Sequence, residues 1–306
     1  MQSLTTHLYT ETEYLTPTPP FDFAKSLDFL GSFAPMQGEQ TLAASTLTKA
    51  VSVEGQIVAF QLTSVGSIEE PKLEYTLFSD QPMSDSVKRR AIDRLSFFLS
   101  LHDDVRPFYQ LGREDPDFAP IVQELYGYHQ VKFLTPFEVA CWAVLVQRNP
   151  LHIAQRMKQA LIETYGSSTT VQGTAYWAFP EAAHLVHLNE NELLSVVRNA
   201  RKAAYLIAVI RAFSEVDEHF LRTADYDEVV AWLHSIRGFG EWSVSFVLLR
   251  GLGRMEKVPV GEKKIIGAAS RLYGHGHDLT RDEVERIAQK YGPYKGYWAH
   301  YVRVGA

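Results

Sequence analysis

Apolar residues at Val229, Val230, Leu233 and Ile236 fall at spacings that share one helical face, and the pattern then stops at Gly238-Phe239-Gly240. It resumes with helical spacing through Trp242, Phe246, Leu249 and Arg250, and breaks again at Pro259-Val260-Gly261-Glu262. Two helices joined by a Gly-x-Gly turn are therefore predicted. Upstream, Asp22 is placed to cap a helix whose apolar stripe is Phe23, Leu27 and Leu30. Residues 50–66 and 71–79, rich in Val, Thr, Phe and Tyr, read as strands with turns at Glu54-Gly55 and Val65-Gly66. A helix carrying Ile92, Leu95, Phe98 and Leu99 follows over residues 84–101. Beyond about residue 105 every pattern reads as helical, with no strand. The expected fold class is an α+β N-terminal domain with a small antiparallel sheet over residues 1–105, then an all-α domain over 106–306.

Within that helical part, Thr135 precedes Pro136 as a cap before a first helical position, and the helix that follows is apolar on nearly all sides. Such a helix belongs at the centre of its domain. It closes at Gln147, followed by Arg148-Asn149-Pro150. Arg201 and Lys202 open a later helix and are expected on a solvated face.

Composition narrows the class. With 306 residues, 46% hydrophobic and 22% charged, the chain is that of an ordinary globular protein with room for two domains. No apolar run reaches the roughly 18 residues of a membrane span, and the first residues lack a basic start followed by an apolar core. A cytoplasmic location, in bacterial cytoplasm or nucleoid, and a monomer without membrane contact are expected. The single cysteine, Cys141, excludes an internal disulfide or a cysteine-rich metal site, and its apolar neighbours mark it as core.

Net charge is −6, which argues against a nucleic-acid partner only on average. Residues 1–194 hold 13 Lys/Arg against 23 Asp/Glu, whereas residues 195–306 hold 17 against 13. The half containing the Gly-x-Gly turn is mildly basic, and phosphate affinity follows the local face.

The chemistry of that turn is suggestive. Glycine permits a close backbone approach and positive φ, and N–H groups opening a helix favour a phosphate. Together with Leu249-Arg250 and Pro259 to Glu262, the stretch Ile236 to Ser243 resembles the helix-hairpin-helix DNA glycosylases. The opening PPFDFAKSLDFL, the phrase TPFEVACWAVLVQ, residues 191–214, and Pro293, Tyr294, Lys295, Tyr297 and Tyr301 in the tail extend the likeness over nearly the whole chain. The branch it is most similar to is the bacterial 3-methyladenine DNA glycosylase II type. One departure stands out: the family's catalytic aspartate aligns with Glu262.

The resemblance implies double-stranded DNA holding a damaged base as the partner. It implies Glu262 as the catalytic carboxylate, and Trp242, Phe246 and Phe29 as walls of the base pocket. Gln147, Arg148, Arg237, Gly238, Phe239, Gly240 and Ser243 become the DNA-binding set, with Arg148 either a wedge in the duplex or an ordinary helix end. No cofactor is implied beyond a monovalent cation held by hairpin carbonyls. Trp242 occupies the position where bifunctional branches carry a lysine nucleophile, so a monofunctional enzyme is implied. Lys263 and Lys264 follow Glu262 immediately and could pair with it. Two other readings stay open: a DNA-binding or damage-sensing protein that does no chemistry, and a structural helical protein.

Overall fold

The computed structural model describes residues 8–43, 45–259 and 262–306. Five antiparallel strands form a sheet in the order β1-β5-β4-β3-β2. They are β1 (Tyr9–Leu15), β2 (Gln40–Ala43), β3 (Thr46–Val53), β4 (Gln56–Ser64) and β5 (Leu73–Ser79). Glu54 and Gly55, with φ of 52° and 77°, make the two-residue turn between β3 and β4, a geometry that matches the right-handed twist of the strands. Both edge strands lie outside the expected segments. β1 is mostly exposed on both faces, so it leaves no hydrophobic alternation to find.

Helix α1 (Phe23–Ser32) starts where Asp22 Oδ1 accepts from the Ala24 N–H. It buries Phe23, Leu27 and Leu30, and α2 (Asp85–Phe98) follows the sheet. Next come α3 (Arg106–Arg113), α4 (Ala119–Glu124), α5 (Pro136–Leu145) and α6 (Leu151–Tyr165). All ten residues of α5 are buried, with Thr135 Oγ1 accepting from the Glu138 N–H. Cys141 is buried among them, and burial pushes its thiol well up. No helix among the described residues is long and apolar enough to cross a membrane.

One expectation fails here. Strands β6 (Ser167–Val171) and β7 (Thr174–Ala178) form a hairpin inside the stretch expected to be wholly helical. Its turn residues Gln172 and Gly173 both have positive φ, 50° and 83°. Val171, Tyr176 and Ala178 pack with Ala50, Ala59 and Phe78 on the outer face of the large sheet. The opposite face, with Val58, Phe60 and Leu62, joins a cluster of buried residues that continues as far as Val302.

The remaining helices are α7 (Ala182–Leu185), α8 (Glu190–Val197), α9 (Ala200–Glu215), α10 (Glu218–Thr223), α11 (Tyr226–Ser235), α12 (Glu241–Gly251), α13 (Lys263–Tyr273), α14 (Arg281–Ala288) and α15 (Lys295–Gly305). Lys202 does not lie on a solvated face: it is buried, and its Nζ donates to the carbonyls of Val144 and Gln147 at 2.8 Å each. Burial lowers its pKa to about 8. A cation at the C-terminal end of a helix answers carbonyls that have no partner inside the helix. Lys202 thus anchors the end of α5 that carries Gln147. Lys202→Met is expected to cost about 1–3 kcal/mol, read from the urea midpoint.

A buried ionic cluster ties the two parts of the chain together. Lys158 on α6 contacts Glu138 on α5 at 2.6 Å and Glu39 at 2.5 Å, and Glu39 also meets Lys49 on β3 at 2.8 Å. Burial pushes the Glu39 carboxyl up, but Lys158 and Lys49 outweigh it and hold the pKa below the usual value. Burial works against the Lys158 ammonium in the same way, and Glu138 and Glu39 outweigh it.

Candidate active site and nucleic-acid interface

Helices α11 and α12 enclose the turn from Ile236 to Gly240. Gly238 has φ +99°, and a Cβ there would stand 2.4 Å from the Tyr205 ring. Gly240 differs: its φ of −108° suits any residue and a Cβ would meet nothing within 4 Å. Glycine is therefore demanded by the fold at 238, whereas at 240 it leaves the outer surface bare. No side chain caps α12, so the N–H groups of its first turn remain for an outside acceptor. Gly238→Ala is expected to cost about 1–3 kcal/mol in backbone strain, with overpacking against Tyr205 added. Gly240→Ala should leave the melting temperature near wild type, which thermal denaturation of the two variants checks.

The turn is pinned from behind. Gln147 Nε2 donates to the Gly238 carbonyl at 2.9 Å and to Ser243 Oγ at 3.1 Å. Ser243 is buried, as is the Phe239 side chain, so of Phe239 only the backbone can face an external strand. Arg237 and Arg148 are exposed. Arg148, just past the end of α5, has φ 54°. The Ile236 carbonyl accepts from the Phe239 N–H and the Gly238 carbonyl from Gln147. Each oxygen keeps one lone pair beyond that hydrogen bond.

Glu262 stands at the start of α13, directly after Val260 and Gly261, which lie outside the described residues. With Trp242, Ser245, Phe246, Leu249 and Pro259 it closes around a crevice of about 10 Å³, room for one water. Glu262 thus shares this crevice with Trp242. Its ion-pair partner is not Lys263 or Lys264, both exposed, but Arg303, whose Nε lies 3.2 Å from Glu262 Oε1. Helix α15 carries Arg303 forty-one positions downstream, so nothing in local sequence announced the pair.

Trp242 and Phe246 stack on each other, centroids 5.0 Å apart and planes at 18°. From Phe246 a row of rings continues to Phe133 at 6.1 Å, Phe33 at 5.6 Å from Phe133, and Phe29 at 4.9 Å from Phe33. Phe29 does not share the crevice with Glu262. It lines a larger cavity of about 510 Å³ together with Phe33, Tyr128 and Arg303, a volume in the range of small-molecule sites. Arg303 borders this cavity and holds Glu262, and so connects the two.

Behind Phe29 and Phe33 lies Arg250, fully buried, its guanidinium 4.8 and 4.7 Å from their centroids. Burial pulls its pKa down to about 10, against the nearby Tyr128, and Glu262 also favours its charge. Arg250 Nη1 approaches His300 Nδ1 at 3.5 Å, and His300 Nε2 lies 3.1 Å from the Tyr128 hydroxyl. An arginine can only donate, which makes Nδ1 the acceptor and puts the imidazole proton on Nε2. Burial, Arg250 and Arg303 hold His300 well below its ordinary pKa, so it is neutral at pH 7. Phe33, Phe133, Tyr128, Arg250, His300 and Arg303 were all missed as site residues. The aromatic content around residues 29–33 gave a signal, and so did Arg250, as part of the Leu249-Arg250 motif.

These features meet in a recognisable class. The model of the HhH-GPD superfamily of base excision DNA repair proteins matches residues 141–293. The chain belongs to that superfamily. A DNA-3-methyladenine glycosylase of Bacillus subtilis (strain 168) is 24% identical over 258 residues, 84% of each protein. Among solved structures, the 3-methyladenine DNA glycosylase of Archaeoglobus fulgidus superposes with a TM-score of 0.80 at 17% identity, covering 95% of this chain and 97% of that one. An 8-oxoguanine glycosylase/lyase of Clostridium acetobutylicum, in complex with double-stranded DNA, gives 0.68 at 15% identity and covers 96% of each. At such identities the structures establish a shared fold: a small antiparallel sheet followed by the helix-hairpin-helix domain.

Proposed function

We propose that the protein is a monofunctional DNA glycosylase that hydrolyses the N-glycosidic bond of alkylated purines of the 3-methyladenine type. The observation that carries this reading is the placement of Glu262 against Trp242 and Phe246, one wall of which is the helix that opens at the phosphate-gripping turn. Breaking the bond develops positive charge on the sugar, and a carboxylate beneath it stabilises that charge and orients the attacking water. The target nucleotide must leave the stack, at a cost of a few kcal/mol. In this reading Gly238 to Ser243 grip the backbone, with Gln147 bracing the turn. Arg237 meets phosphate, and Arg148 fills the gap in the duplex. Trp242, Phe246 and Phe29, the partly exposed rings of the row, supply faces for an electron-poor base, each cation–π contact contributing about 0.5–2 kcal/mol. The names of the Bacillus and Archaeoglobus relatives support this substrate class.

Trp242 has no amine with which to attack the sugar, so the strand should stay intact. Incubation with methylated duplex is expected to release free methylated base and leave alkali-labile abasic sites, with no covalent adduct on borohydride treatment. Borohydride trapping, or nicking without alkali, would exclude the monofunctional assignment. The replacement of aspartate by Glu262 supports a second reading, a protein that senses damage without chemistry. Under it no base is released, while salt-sensitive duplex affinity persists.

A further inference from the structure

We infer that Arg303 is a positioning residue for Glu262, compensating for the extra methylene that separates this carboxylate from an aspartate. The inference rests on the glycosylase reading above and names the residue on which that reading's catalyst depends. Glutamate adds a rotatable bond, and catalytic geometry tolerates errors of only about 0.5 Å. Glu262 is not held as a helix cap, because its side chain makes no capping hydrogen bond to α13. What holds it is Arg303, in the last turn of α15, with Nε 3.2 Å from Oε1 and both side chains largely buried. The two helices pack on each other, and Ile265, Ala268 and Ala269 on α13 and Trp298, Ala299 and Val302 on α15 are buried.

Among the described residues Arg303 is the ion-pair partner of the carboxylate. Lys263 and Lys264 are exposed. Arg250 acts on it electrostatically from the buried side, and His300, one turn before Arg303, is neutral. Length decides the rest. An aspartate at 262 would withdraw its carboxylate by up to about one C–C bond, roughly 1.5 Å, which takes it out of hydrogen-bond reach of the guanidinium. The pairing is therefore specific to glutamate. It also couples the two cavities, since Arg303 lines the one that contains Phe29.

The test uses duplexes in which one nucleotide's sugar is replaced by a cationic pyrrolidine, a mimic of the charge that the carboxylate must meet. Affinity is measured relative to the same duplex without the replacement. Wild type should prefer the pyrrolidine duplex. Arg303→Gln should reduce that preference at least tenfold. Arg303→Lys, which keeps the charge and one donor, should stay within about threefold of wild type. In a Glu262→Asp background, Arg303→Gln should change the preference by less than threefold. An unchanged or increased preference in Arg303→Gln overturns the positioning role, as does an equal loss in both backgrounds, which would put Arg303 to work elsewhere in the cavity. Failure of Arg303→Lys to restore preference overturns it as well, and covers the case in which Arg303→Gln misfolds. A wild type that binds both duplexes alike overturns the glycosylase reading itself, which separates that failure from a failure seen only in the variants.

Discussion

Glu262→Gln is expected to lower base release from methylated duplex at least a hundredfold while leaving duplex affinity within about threefold of wild type. The substitution is isosteric, so the crevice beside Trp242 keeps its shape, and what is lost is the negative charge that the proposed reaction sets against the sugar cation. Removing one electrostatic stabiliser of a transition state costs about 10²–10³ in rate, or roughly 3–4 kcal/mol of barrier. The measurement is single-turnover excision beside equilibrium binding in the same buffer. Equal excision by both proteins would move the chemistry to another residue. Parallel loss of excision and binding would instead mark Glu262 as structural.

Lys158→Met should be the most damaging single substitution for stability, lowering it by about 3–5 kcal/mol. The methionine fills the space, but Glu138 loses its ion-pair partner and Glu39 keeps only Lys49. The double variant Glu138→Gln with Lys158→Met leaves the Glu39–Lys49 pair balanced, so it should recover most of the loss. Urea unfolding of the three proteins decides the matter. If the double variant is no better than Lys158→Met, the loss comes from packing rather than from an uncompensated charge.

Much of the helical scaffold was legible along the chain because its signals are local. Asp22 and Thr135 cap helices where their types and neighbours say they should, and the unbroken apolar run after Pro136 could only be a central helix. The hairpin of β6 and β7 was legible in principle, since Gln172-Gly173 sits between residues alternating Thr, Val and Tyr. Its signal is short, five residues on each side of the turn, and the long helix α6 runs directly into it. Lys202 was misplaced for a different reason: a charged pair at the start of a helix reads as solvated, and only the approach of α5 turns one of the two inward.

By itself, the sequence determined the hairpin with its glycine turn, the buried helix behind it, and the presence of one carboxylate after Pro259. Each of these follows from periodicity, capping or backbone freedom within a few residues. The tertiary structure alone decided what that carboxylate touches. Its partner Arg303, the rings of Phe33 and Phe133, and the charge of Arg250 come from segments far apart in the chain. They meet only because burying apolar surface brings α1, α12, α13 and α15 together, and an interaction fixed by packing between distant segments leaves no periodic mark on either of them.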